Sequence, residues 1–298
     1  MRINRLAALA AVTVFALAAT ACGGDDKNSG SGSGGDVSTD VSFAAGSTMQ
    51  KLHDAKKIKV GTKYDQPGFG LKGLDGKPAG FDVEIAKIIA GKLGLKADQI
   101  EWSESPSAVR EQVIEQGTVD IVVATYTIND TRKQRISFAG PYYQAGQTIM
   151  VRTDESGISG PDSFKAGDKK VCSVTNSTPA NNIKKYLGSE AQQLVLFDTY
   201  QKCVDALTAK QVDAVTTDNV ILLGFIDKNP GKFKLAGDTF TKEPYGIGLK
   251  KDDKVFRDWI NDVLERAFSD GSYQKAWDST AGKIQNAKLG NPPTIVRY

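Results

Sequence analysis

Two thirteen-residue segments of this chain, VIEQGTVDIVVAT (residues 113–125) and ALTAKQVDAVTTD (residues 206–218), align without a gap. Each reads as a helix end, a tight turn, Val-Asp and a strand, so Val119 matches Val212 and Asp120 matches Asp213. Thr125 and Asp218 then hold the same position, the carboxyl end of a parallel strand, which is where open α/β sheets bind ligands. Two such units facing each other would present Thr125 and Asp218 across one cleft. Chance similarity between two ordinary βα units is the competing account.

The surrounding pattern extends this α/β reading. Strands are expected at 57–62, 119–125, 147–152, 170–174, 194–197 and 212–216, and helices at 81–93, 109–116, 179–187 and 200–209. Thr178-Pro179 is a good helix start, and Gly188 a stop. The last long helix carries Val255, Phe256, Trp259, Ile260, Val263, Leu264, Ala267 and Phe268 as one apolar stripe, with Asp252 or Asp253 before it and Gly271 after it. Alternating strands and helices predict mostly parallel sheets flanked by helices. With 298 residues, 40% apolar and 24% charged, the chain is long enough for two domains and poorly suited to disorder.

Only residues 6–21 form a long apolar run, shorter than the ~20 residues of a spanning helix. Arg2 and Arg5 precede it, and it closes on Ala19-Thr20-Ala21-Cys22, the export pattern. Small residues ending at a cysteine resemble a bacterial lipobox, which implies cleavage before Cys22 and lipidation of its sulfur; the alternative is a secreted protein with Cys22 free. Residues 22–46, with SGSGSGG at their centre, read as a flexible tether. Outside the membrane Cys172 and Cys203 can oxidise, closing a loop worth roughly 3 kcal/mol. The charge is 38 − 35 = +3, or +1 without Arg2 and Arg5, so no nucleic-acid partner is expected. One histidine, His53, and no HExxH or CxxC leave no expected metal or cofactor. Gly68-Phe69-Gly70-Leu71-Lys72-Gly73 matches the dinucleotide pattern formally but runs into a turn rather than a helix, so it is set aside.

From residue 51 to 280 the chain resembles the polar amino-acid receptors of bacterial ABC importers, the family 3 solute-binding proteins. GFDVEIAKIIAGKLG from Gly80, GTVDIVVATYTINDTRKQRISFAGPYY from Gly117 and VDAVTTD from Val212 carry the resemblance. The pattern is similar to that of glutamate-binding lipoproteins of Gram-positive bacteria. The resemblance implies an α/β, two-lobed, hinged fold of the type II periplasmic-binding-protein kind. Lobe one would hold residues 47–151 and 242–298 and lobe two residues 152–241, with crossings near 150–153 and 240–244.

The same resemblance implies roles for individual residues. Arg132, with Thr127 and Thr178, would hold the ligand α-carboxylate, since a planar guanidinium matches two oxygens. Asn129 or Asp130 would start a short helix beneath it. Asp218, with Thr125, would take the α-ammonium; as an isolated residue Asp218 reads as a helix cap, and both jobs are compatible. Lys63, Arg110, Ser107 and Tyr200 would surround a side-chain carboxylate, because a charge removed from water needs charged partners and several hydrogen bonds. L-glutamate leads, with aspartate second, delivered by a monomeric receptor on the outer face of the cytoplasmic membrane to a permease with an ATPase partner. A sensor feeding a membrane kinase, or a dehydratase-like enzyme on the same fold, are the alternatives.

Overall fold

The computed structural model describes residues 36–298. The expected signal segment, Cys22 and most of the expected tether lie outside the described residues.

Two five-stranded sheets organise the molecule. In the first, Ile100–Glu104, Ile58–Thr62 and Ile121–Val122 run parallel, and Glu243–Leu249 and Ser137–Ala145 complete the sheet antiparallel. In the second, Leu194–Phe197, Val171–Val174 and Ala214–Asp218 run parallel, and Gln147–Arg152 and Phe233–Ala236 complete it antiparallel. Both sheets are therefore mixed, each with its parallel trio at one edge. The two echoed segments take the same place, third in order and bordered by an antiparallel strand. Within them, the Asp120 carboxylate accepts the Lys59 amide at 2.7 Å, and the Asp213 carboxylate accepts the Lys170 amide at 2.8 Å. Each Asp amide also donates to the carbonyl of that same lysine, at 2.9 Å in both cases. The repeated Val-Asp is thus a repeated clamp that fixes one strand's entry against its neighbour.

Burial alternates along the strands, as a sheet covered on both faces requires. Ile121 and Val123 face one core with Phe81, Ile85, Phe256 and Ile260, whereas Val122 and Ala124 face another with Ile114, Tyr126 and Phe138. In the second sheet Met150, Cys172 and Val215 face Val204, Leu207 and Phe225, and Ile149, Val171 and Ala214 face Phe164 and Ile183. Each lobe is a sheet between two apolar layers, and each fully buried Val, Ile or Phe contributes about 1.5–3 kcal/mol. The Cys172–Cys203 disulfide is formed and ties strand Val171–Val174 to helix Tyr200–Thr208.

Several expectations need correction. The first crossing falls at Gly146, earlier than 150–153, because Gln147–Arg152 pairs with Ala214–Asp218 and Phe233–Ala236 in the second sheet. The return passes through 237–242, and a side chain at Gly146 would stand 2.8 Å from Thr239 Cβ, so the two crossing segments touch where only glycine fits. The end of the expected tether is packed: Phe43 lies edge-on to His53 and Trp259, and the Ser38 amide donates to Gly91 at 3.0 Å. Val255 is 61% exposed and leaves the stripe of helix Lys254–Asp270, whose cap is Asp253. The strand expected at 119–125 pairs only over Ile121–Val122.

Among the aromatic residues, Phe69, Tyr142 and Tyr143 are core residues, and the formal dinucleotide glycines sit in a small hairpin sheet with no helix before Phe81.

Candidate functional site

Facing ends of the two sheets line a small polar cavity of about 10 Å³. Its wall includes Ser107, Arg110, Thr125, Thr127, Thr178, Tyr200 and Asp218, seven of the nine residues expected to touch a ligand. Lys63 and Arg132 stand behind it, each joined to a wall residue. Lys63 is 2% exposed and donates to Ser107 Oγ at 3.2 Å. Arg132 donates to the Thr127 carbonyl at 2.7 Å.

The cations are held by different means. Arg110, the first residue of helix Arg110–Glu115, donates to the Ala124 carbonyl at 2.9 Å and lies 4.0 Å over the Tyr126 ring. Arg132 lies 5.0 Å over the same ring and pairs with Glu111 at 3.1 Å, so one aromatic ring supports both guanidinium groups. Asn129 caps the short helix Asp130–Lys133 by accepting the Arg132 amide at 2.9 Å, which anchors the arginine backbone as well as its side chain. Burial and the neighbouring Arg110 pull Arg132 down to about 10. Burial pulls the Lys63 ammonium down to about 8, with Asp65 and Glu104 opposing and Arg110 and Arg132 reinforcing.

The acidic side is a single buried carboxylate. Asp218 is 3% exposed, and its Oδ2 accepts the Tyr245 hydroxyl at 2.5 Å. Burial, reinforced by Glu243, pushes its carboxyl up to about 8 against Tyr245 and the two arginines. Asp218 occupies the cap position of helix Asn219–Lys228 but makes no side-chain cap bond, because its carboxylate is turned to the cavity. The cap at Thr178 is likewise displaced: Ser177 accepts the Ala180 amide at 3.0 Å, which frees the Thr178 hydroxyl to donate to Thr127 Oγ1 across the cleft at 3.2 Å. Asn176, where the preceding turn needs φ of 60°, adopts the left-handed region that Asn tolerates. Its carbonyl accepts Arg132 at 3.4 Å from the other lobe.

Thr125 has φ of 46°, a strained value for a β-branched residue, costing ~1–3 kcal/mol. Its amide donates to Asp82 Oδ2 at 2.7 Å, and its hydroxyl lies 2.9 Å from Gln66 Oε1 and 2.7 Å from the Ala124 carbonyl. Asp82 also accepts the Tyr142 hydroxyl at 2.6 Å, and burial pushes it up to about 7. The helix pattern at 81–93 alone gives Asp82 no more than a first-turn place, and Gln66, Thr217 and Tyr245 are not among the residues expected at the site. Gln66 was accessible in principle, three residues after Lys63 in the short strand Asp65–Gln66. Tyr245 was not, since only the pairing of Glu243–Leu249 brings it beneath Asp218.

Four wall residues carry a buried polar atom with no partner in the protein: Gln66 Nε2, Arg110 Nε, Thr217 Oγ1 and Asp218 Oδ1. Two of these are obligate donors and one is an acceptor, so the wall can meet an anionic group and a cationic group on one small molecule. Among the described residues no cluster could hold a metal ion.

Two α/β lobes meeting on a polar cavity of mixed charge define a receptor for a small polar solute. Residues 58–280 match the bacterial extracellular solute-binding proteins, family 3, and the chain belongs to that family. It is 42% identical over 235 residues to the glutamate-binding protein GluB of Corynebacterium glutamicum, covering 76% of this chain and 79% of that one. With the glutamine-binding protein GlnH of Bacillus subtilis identity is 35%, covering 92% and 96%. A solved ancestral arginine-binding protein bound to glutamine superposes with a TM-score of 0.70 at 35% identity, covering 76% of this chain and 99% of that one. The fold is the two-lobed α/β type expected, and the chain is a binding protein rather than an enzyme.

Proposed function

We propose that this protein is a monomeric receptor, anchored through lipid on Cys22 to the outer face of the cytoplasmic membrane, that binds L-glutamate and delivers it to an ABC permease with its ATPase. One observation carries the ligand reading: Arg110 lines a small buried cavity whose wall carries the carboxylate of Asp218, and two more cations, Lys63 and Arg132, each bond to a residue of that wall. Glutamate brings two carboxylates and one ammonium. Arg132, with Thr127 and Thr178, takes the α-carboxylate, and Asp218 with Thr125 takes the ammonium. Arg110, Ser107, Tyr200 and Lys63 neutralise the distal carboxylate, which offsets the cost of taking that charge out of water. Aspartate satisfies the same charges with a shorter reach.

Glutamine is the second reading, favoured by the glutamine-binding relative that matches nearly the full chain. It supplies no charge to oppose Lys63 and Arg110. Titration calorimetry of the purified protein with glutamate, aspartate and glutamine decides between them: glutamate should bind tightest, and a preference for glutamine overturns the assignment of the distal group. Mass spectrometry of the amino-terminal peptide tests the anchor, with a lipid-modified Cys22 as the expected product.

A further inference from the structure

Helix Asn219–Lys228 follows a strand of the second sheet, yet one of its faces is buried in the first lobe. Val220 is 1% exposed and belongs to the apolar core formed by Phe69, Phe81 and Tyr245. One turn further on, on the same face, Gly224 lies against the Pro67 carbonyl: a Cβ at Gly224 would stand 2.5 Å from that oxygen. Glycine is a poor mid-helix residue beside alanine, so its use here goes with the close approach of the two lobes.

The segment Asp65-Gln66-Pro67 meets a second helix of the same lobe. Asp65 Oδ2 accepts the amide of Tyr200, the first residue of helix Tyr200–Thr208, at 2.7 Å. Thr199, at the cap position of that helix, makes no side-chain bond to it, so the first lobe supplies the missing cap. Neither Asp65 nor Gly224 is part of the cavity wall, although Gln66 between Asp65 and Pro67 is.

We propose that Asp65 and Gly224 form a closure latch, setting ligand affinity through the approach of the lobes while touching no ligand. Both features matter only when the lobes are together; apart, Asp65 and the Tyr200 amide are hydrated and Gly224 faces water. A latch of this kind shifts the balance of open and closed forms, and the affinity of a ligand selective for the closed form follows by the same factor. It leaves the ratio of affinities between ligands unchanged. The ligand readout rests on the amino-acid-binding reading; the lobe-closure readout does not.

The test uses Gly224→Ala, Asp65→Ala and Asp65→Asn in the otherwise intact protein, with titration calorimetry, stopped-flow dissociation, ligand-free melting and small-angle X-ray scattering. Gly224→Ala should weaken glutamate by at least about tenfold through faster dissociation and enlarge the radius of gyration. Its ligand-free melting temperature should be unchanged or higher, because alanine favours the helix. Asp65→Ala should weaken binding and Asp65→Asn, which keeps an acceptor, should recover part of the loss. Wild-type affinity in Gly224→Ala and Asp65→Ala overturns the latch, as does a changed ratio of glutamate to aspartate affinity. A ligand-free melting loss matching the affinity loss also overturns it, by making Gly224 a packing residue of its own lobe. If the wild-type protein binds no glutamate, the ligand assignment fails, and scattering without ligand decides the latch: a more open Gly224→Ala supports it and an identical curve overturns it.

Discussion

Tyr245 donates its hydroxyl to Asp218 Oδ2 at 2.5 Å, a bond from a strand of the first sheet to the last residue of a strand in the second, and Oδ1 of the same carboxylate is left without a partner. The ordinary carboxylate value is 3.8 and burial pushes this group up to about 8, so at neutral pH the ligand-free protein carries a proton there. Between those values the folded state binds more protons than the unfolded one, and its stability falls as pH rises. An ammonium at Oδ1 favours the charged carboxylate, so binding below pH 8 should release up to one proton. Lys63 behaves in the opposite sense: pulled down to about 8, it should take up a proton when an anion binds above that pH. Calorimetry in buffers of different ionisation enthalpy should show release near pH 6.5 and uptake near pH 9, estimates that follow from those two values. Asp218→Asn, which also weakens binding, should lose the release and keep the uptake when titrated at saturating ligand; release that persists in this variant refutes the assignment.

Arg132→Ala or Asp218→Ala should weaken every amino acid by at least about a hundredfold, since each removes one partner of a buried charged contact. Normal titration of either variant contradicts the proposed grip on the α-groups.

Selectivity should respond to a different pair. Arg110→Ala and Lys63→Met should cost glutamate at least about tenfold more than glutamine, because only the former brings a second carboxylate. An equal loss for both ligands sinks the distal-pocket reading.

Asp82→Asn should destabilise the protein by about 2 kcal/mol in urea unfolding. Asp82 accepts from both the Thr125 amide and the Tyr142 hydroxyl, and an amide side chain has only one oxygen to offer. The variant should also lose glutamate affinity as Thr125 leaves its strained conformation. Unchanged stability and binding would mean that Asp82 does not hold Thr125.

Replacing Cys172 and Cys203 by serine should cost roughly 3 kcal/mol, seen as a lower melting temperature. A protein that melts unchanged under reducing conditions would show that the bridge adds nothing.

Elements decided locally were readable from the chain. The echoed strands and the helix closed by Asp253 and Gly271 carry their signals within a few residues, whereas the roles of Lys63, Arg110 and Arg132 come from the family resemblance. Elements decided by distant pairing were not. Ser137–Ala145 and Glu243–Leu249 form strands because they pair with each other, and no short pattern announced either as such. Residues 147–151 of the expected strand 147–152 belong with the second sheet rather than with lobe one, for the same reason. Ser177 and Thr178 are chemically equivalent caps, and only the backbone, extended at Ser177 and helical from Thr178, shows which one caps and which hydroxyl reaches Thr127.

The matched aspartate clamps at Asp120 and Asp213 bear on how such a receptor tells one end of its guest from the other. Two halves built to one plan meet face to face, so symmetry alone would give them like surfaces. At the matched strand ends Thr125 brings a hydroxyl and Asp218 a carboxylate, while Arg110 and Arg132 both come from the first half, and this gives the cleft a polarity. Head and tail of a solute can then be distinguished although the two sheets share one pattern of strand order.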